Sequence, residues 1–191
     1  MRITESILSS IGVKQRILSD ANLVEVIREV SETCVEAFCQ GNKVLFCGNG
    51  GSAADAQHLA AEFSGRYYYD RNPLPSEALH VNSSYLTAVA NDYSYEEVYS
   101  RMLRAVGKEG DVLIALSTSG NSPNILKALV AAHEIGIITV GFTGETGGKM
   151  RNLCDFLINV PSADTPRIQE SHIMIGHIIC EYVESTIFPR P

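Results

Sequence analysis

Val44-Leu45-Phe46-Cys47-Gly48-Asn49-Gly50-Gly51-Ser52-Ala53-Ala54-Asp55-Ala56-Gln57-His58-Leu59-Ala60-Ala61-Glu62 is the stretch on which the fold turns. It reads as an apolar strand, a glycine loop, and a helix carrying His58 and Glu62 four residues apart. A short apolar run closed by glycine suits a parallel strand buried on both faces. Residues four apart share one face of a helix. Outward from this unit the alternation repeats. Residues 78–81, 111–116, 137–142 and 156–160 are further candidate strands, with residues 111–116 the clearest central one. Residues 83–90 read as a short helix, Ser94-Tyr95-Glu96-Glu97 as a capping box opening another, and Ser122-Pro123 and Thr165-Pro166 as cap-and-proline helix starts. Strands alternating with helices predict an α/β domain with a mainly parallel sheet. Residues 1–191 show no repeat or linker and are read as a single domain.

Ahead of the first strand, residues 3–40 read as two helices broken at Asp20-Ala21-Asn22. In the second, Leu23, Ile27, Val30, Cys34, Ala37 and Phe38 follow steps of three and four, the helical period. Such a pair (residues 1–40) has few apolar partners within one α/β layer, so it is expected to pack against another subunit. Residues 65–75 read as a polar excursion with no evident function.

The chain has 191 residues, 45% hydrophobic and 19% charged, which argues against extensive disorder. A net charge of −7 argues against general nucleic-acid binding, which needs a basic face. Any anionic ligand must then be held by local donors. The five cysteines form no CxxC pair and are expected to be reduced structural thiols. No signal peptide is evident at the N-terminus, and no apolar run approaches the roughly 18 residues of a membrane span. No membrane association is expected, and the expected location is the cytoplasm.

Ligands of open α/β sheets bind beyond the carboxyl ends of strands. Two loops fall there, residues 48–52 and residues 117–122. The second offers the hydroxyls of Ser117, Thr118, Ser119 and Ser122 together with backbone N–H groups at a helix start, a site for phosphate that needs no lysine. A polar turn with an N-cap serine is the simpler alternative. The glycine loop is neither GxGxxG nor a P-loop, so nucleotide binding is unsupported. Taken alone, His58 and Glu62 would be a core histidine and a solvated carboxylate, but their nearness to a ligand-type loop suggests chemistry. Gln169 and His177 lie on one broad side of the last helix. His172 reads as structural, and His80 and His133 as background.

Three segments together, CGNGGSAADAQHLAAEFSGR, STSGNS and the C-terminal RIQESH…GH, closely resemble the sedoheptulose 7-phosphate isomerase (phosphoheptose isomerase) family of sugar-isomerase (SIS) domain proteins. The resemblance runs from about residue 20 to the C-terminus. It implies a three-layer sandwich and a homotetramer with active sites shared between subunits. It also implies conversion of sedoheptulose 7-phosphate to D-glycero-D-manno-heptose 7-phosphate, the first step toward nucleotide-activated heptose for lipopolysaccharide core or another surface glycan. By the same resemblance Asn49, Gly50, Gly51 and Ser52 contact substrate, and Ser117, Thr118, Ser119 and Ser122 hold its phosphate. Asn91 and Asp92 contact the sugar, and Arg66 orients the substrate. Glu62 is the general base and His177 its acid/base partner. His58, Glu62, Gln169 and His177 are ligands for one zinc ion per subunit, although glutamine is an unusual zinc ligand and a ligated Glu62 would be a weaker base. The tail at residues 184–189, with Glu97-Val98-Tyr99, also resembles a non-catalytic relative that binds the replication initiator DnaA. That relative lacks the counterparts of Glu62 and His177, and this chain keeps both.

Overall fold

The computed structural model describes residues 2–190. Helices α1 (Ile3–Ser19) and α2 (Ala21–Cys39) precede β1 (Val44–Gly48), α3 (Gly51–Ser64), β2 (Ser76–Ala78), α4 (Ser83–Asp92) and α5 (Val98–Val106). Then come β3 (Val112–Leu116), α6 (Pro123–Ile135), β4 (Ile138–Thr143), β5 (Phe156–Asn159) and α7 (Thr165–Ile187). The strands form one sheet in the order β2-β1-β3-β4-β5, every pairing parallel.

Alternation along the strands builds two cores from one sheet. Val44 and Phe46 of β1, with Val112 and Ile114 of β3, pack beneath α1, α2, α3 and α7. Leu45 and Cys47, with Leu113 and Ala115, face α5 and α6 on the opposite side. Each fully buried aliphatic or phenyl side chain contributes roughly 1.5–3 kcal/mol relative to exposure. The result is the expected three-layer α/β sandwich.

The strand order also places the site. From β1 the chain moves outward to β2, then crosses back so that β3 lies on the other flank of β1. A sheet opens a crevice where its winding reverses in this way. Gly48 and Leu116 are register partners at that point, so the glycine loop and the serine loop leave the sheet side by side.

Several boundaries differ from the sequence reading. The strand expected at residues 78–81 runs from Ser76 to Ala78. Leu79 N–H still reaches Phe46 O at 2.9 Å, but the chain then turns so that the Asn82 side chain can cap α4. Ser94 forms no side-chain cap, and a 3-10 turn at Tyr95–Glu97 precedes α5. The carboxylate of Glu97 is diverted to Lys127 at 2.7 Å and Ser100 at 2.8 Å. Ser122 likewise makes no cap bond, and α7 is entered from Asp164 rather than Thr165. The apolar stripe of α2 is not left for another subunit, because all six of its residues are buried within the chain. It is α1 that keeps apolar side chains exposed, among them Ile3, Ile7, Leu8, Ile11 and Leu18. Of the cysteines on α2, Cys34 is buried and Cys39 exposed, and all five are free.

Residues 65–75 are ordered by a buried charge. Glu184 on α7 accepts the N–H groups of Tyr67 at 2.8 Å and Tyr68 at 2.7 Å, and pairs with Arg71 at 3.0 Å. Burial raises the pKa of this carboxyl, but those hydrogen bonds outweigh it and hold the group below its ordinary value.

Two contacts fix α7. His172 is fully buried and its Nε2 lies 3.1 Å from Thr143 O at the end of β4. Gly176 faces α3 so closely that a Cβ there would stand 2.4 Å from Leu59 Cδ1. Burial pushes the His172 imidazole down to about 4. The unfolded chain takes up this proton below about pH 6.5, and the folded chain only near 4. Stability should therefore fall as pH falls through that window, by about 2 kcal/mol by pH 5 from this group alone. Urea titrations at pH 7 and pH 5 check this, and a His172→Gln chain should lack this part of the loss.

Candidate active site

The glycine loop is held from below and from the side. Tyr99, itself buried, donates its hydroxyl to Gly48 O. Asn49 and Asn124 exchange two amide hydrogen bonds, Asn49 Nδ2 to Asn124 Oδ1 at 2.9 Å and Asn124 Nδ2 to Asn49 Oδ1 at 2.8 Å. This pair bridges the loop after β1 and the helix after β3. Tyr95 OH adds a donor to Asn49 Oδ1 at 3.3 Å. Gly50 is exposed, while Ser52 is buried on the first turn of α3. Gly51 lies directly under Gln169 of α7, with a Cβ there placed 2.7 Å from Nε2. A side chain at 51 would displace Gln169, so the two positions are sterically linked.

The serine loop presents donors. Ser117 N–H is used by Phe142 O and Gly120 N–H by Ser117 O. The N–H groups of Thr118, Ser119 and Ser122 have no partner among the described residues. Ser117 Oγ and Ser122 Oγ lie 3.1 Å apart across the turn. Ser119 is exposed, and its Oγ accepts Asn121 N–H at 3.2 Å. Free N–H groups and hydroxyls at the start of α6 are donors of the kind that suit an anion. Beside them a cavity of about 300 Å³ is bounded by Thr118, Ser119 and Asn121 on one side and Glu145, Thr146 and Ser162 on the other.

The titratable cluster lies where α3 and α7 touch. His58 Nε2 is 3.2 Å from Glu62 Oε1 and 3.0 Å from His177 Nε2. Ligand atoms of all three residues fall within 4.8 Å of one another. Burial lowers the pKa of His177, the neighbouring His58 lowers it further, and Glu62 opposes both. A neutral imidazole beside a carboxylate can exchange protons with a substrate oxygen. The same donors suit a divalent metal. Zinc bonds of about 2.0–2.1 Å in tetrahedral geometry separate ligand atoms by roughly 3.3–3.4 Å, within a few tenths of the two distances from His58 Nε2.

Other expected residues stand apart. Asn91 and Asp92 end α4, exposed and bonded to each other at 2.9 Å. Arg66 is exposed on the strap after α3. Three contributors escaped the sequence reading. Asn124 follows the proline of an ordinary helix start, Tyr95 lies in a turn read as a cap, and Tyr67 places its ring 5.7 Å from that of His177. Only a cue linking residues distant in sequence could have identified them.

Known proteins resemble this chain in sequence and fold. The SIS domain family matches residues 13–144. Phosphoheptose isomerase of Aneurinibacillus thermoaerophilus is 59% identical over 186 residues, covering 97% of this chain and 94% of that protein. The Clostridium acetobutylicum phosphoheptose isomerase is 55% identical, covering 97% and 95%. The solved structure of phosphoheptose isomerase GmhA from Neisseria gonorrhoeae superposes with a TM-score of 0.90 at 42% identity, covering 96% of this chain and 97% of that one. The chain therefore belongs to the SIS-domain family and, within it, to the phosphoheptose isomerases. It is an isomerase.

The amide bridge generates a direct test. Asn124→Leu removes one partner and leaves the Asn49 amide short of hydrogen bonds, which costs about 1–3 kcal/mol. The expected result is a lower Tm and a KM raised several-fold, with kcat less affected, measured by thermal melts and steady-state kinetics.

Proposed function

We propose that this chain converts sedoheptulose 7-phosphate to D-glycero-D-manno-heptose 7-phosphate through an enediol or enediolate. The convergence of Glu62 and His177, from two different helices, on one cluster with His58, two turns along α3 from the glycine loop, is the observation that carries the reading. The serine loop takes the phosphate, and binding energy from that remote end orients the reacting carbons. Glu62 removes a proton from C1, beside the C2 carbonyl. The C–H electron pair becomes the C1=C2 bond, and the carbonyl pair moves to O2. His177 supplies a proton on the oxygen side and takes one from O1. Return of a proton from Glu62 to C2 leaves the aldose. Asn49, Gly50, Gly51 and Ser52 line the sugar, with Gln169 above Gly51.

The proposal includes one zinc ion per subunit held by His58, Glu62, Gln169 and His177. When bound, it would polarise the sugar oxygens. It also includes a homotetramer acting in the cytoplasm and supplying heptose for a surface glycan. The exposed apolar side chains of α1 support assembly, as does a largely apolar cleft of about 330 Å³ between Leu18, Val24, Met174 and Ile178, with Lys14 at its wall. Exposure leaves Arg66, Asn91 and Asp92 free to serve a site completed by a neighbouring subunit. Among the described residues no helix is long and apolar enough to cross a membrane. Retention and convergence of Glu62 and His177 weigh against the adaptor that binds DnaA.

An isomerase assay on sedoheptulose 7-phosphate, with and without chelator and added zinc, tests the reading. Glu62→Gln should abolish turnover with the fold and phosphate binding intact, and normal turnover would rule out this base. Ser119→Ala should chiefly raise KM; an unchanged apparent affinity would count against the cradle.

A further inference from the structure

The strap between α3 and β2 is built around a guanidinium whose three nitrogens are all engaged. Arg71 Nε meets Glu184 Oε1 at 3.0 Å, and both side chains are 2% exposed. Arg71 Nη2 donates to Glu62 O at 2.8 Å. Its Nη1 faces Phe63 O at 2.7 Å, Asn72 O at 3.0 Å and Gly65 O at 3.1 Å. The last carbonyls of a helix lack intrahelical partners and favour a cation. Here the carbonyl taken first belongs to Glu62 itself. Glu184 is the other half of the device. It sits on α7 two turns beyond His177 and accepts Tyr67 and Tyr68 N–H groups at 2.8 and 2.7 Å. One buried pair thus joins the helix end that carries Glu62 to the helix that carries His177. It also pins both neighbours of Arg66, through the Gly65 carbonyl and the Tyr67 N–H, and seats the Tyr67 ring against His177.

We infer that Arg71 and Glu184 are positioning residues of the isomerase centre, setting the Glu62–His177 separation and the presentation of Arg66. The inference rests on Glu62 and His177 being the reacting pair. A pair needed only for folding could bond any carbonyls of the strap. This one bonds the residue that reacts and brackets the residue that orients. The planar fork is essential, because several carbonyls and a carboxylate are met in fixed directions that an ammonium cannot reproduce.

The test compares Arg71→Lys, Arg71→Met and Glu184→Gln with the unaltered chain, each shown folded by circular dichroism and assayed well below its Tm. A misplacement near 1 Å can cost on the order of 100-fold in rate. The expected result is kcat lower by roughly 10- to 100-fold in Arg71→Met and Glu184→Gln, with KM within about threefold, because the serine loop lies on other elements. Arg71→Lys should recover part of the stability but little of kcat, and the pH profile of kcat should move. Folded variants with ordinary kcat and an ordinary pH profile, differing only in Tm, would overturn the inference. So would failure of all three to fold, since the pair would then have no separable part in catalysis. Glu62→Gln is assayed in parallel. If it turns over normally, the assignment of the base fails; if it is inactive while Glu184→Gln is normal, the positioning role alone fails.

Discussion

The close approach of α3 and α7 is the constraint on which the site depends. Leu59 fills the space where Gly176 has no side chain. Leu59 is the neighbour of His58, and Gly176 the neighbour of His177. The packing contact and the chemistry are therefore adjacent on both helices. Any residue larger than glycine at 176 would clash with the Leu59 side chain and force it to move at the level where the imidazoles meet. The contact at Thr143 and the clamp at Glu184 hold α7 on either side of that point. The helix is thus fixed at three places along its length, and the reactive one lies between the other two.

A second constraint comes from the sheet. Reversal of winding between β1 and β3 puts two loops of different chemistry next to each other, and the Asn49–Asn124 pair locks them together. One loop is rich in glycine and leaves its backbone open to close approach. The other keeps unpaired N–H groups at the start of α6. In the proposed function this adjacency divides the work between the two ends of the substrate.

The sequence made the layers legible because β1 and β3 are apolar along their whole length and are bounded by glycine and serine loops. It made the α2 stripe legible because the period was clear. It did not show what covers that stripe, since nothing local says that α7 returns from the far end of the chain to pack on it. Ser122 is the N-cap residue before Pro123 as expected, but neither it nor Ser94 forms a side-chain cap bond, for a shared reason. In each case a tertiary partner competed for the polar group, Lys127 for Glu97 and Ser117 for Ser122. His58 and Glu62 were visible as a pair through helical spacing, whereas His177 joined them only through resemblance. Residues 65–75 showed no pattern at all, because Glu184, the group that orders them, is contributed by the last helix.

In the proposed function, a phosphate held by neutral donors in a chain of net charge −7 has a kinetic consequence. A dianionic sugar approaching such a molecule meets weak repulsion over a Debye length of about 8 Å at physiological ionic strength. Capture is then governed by short-range contacts rather than by steering. Added salt would screen the repulsion and leave the bound contacts largely untouched, so the enzyme would be tolerant of ionic conditions that slow proteins relying on lysine or arginine to attract phosphate.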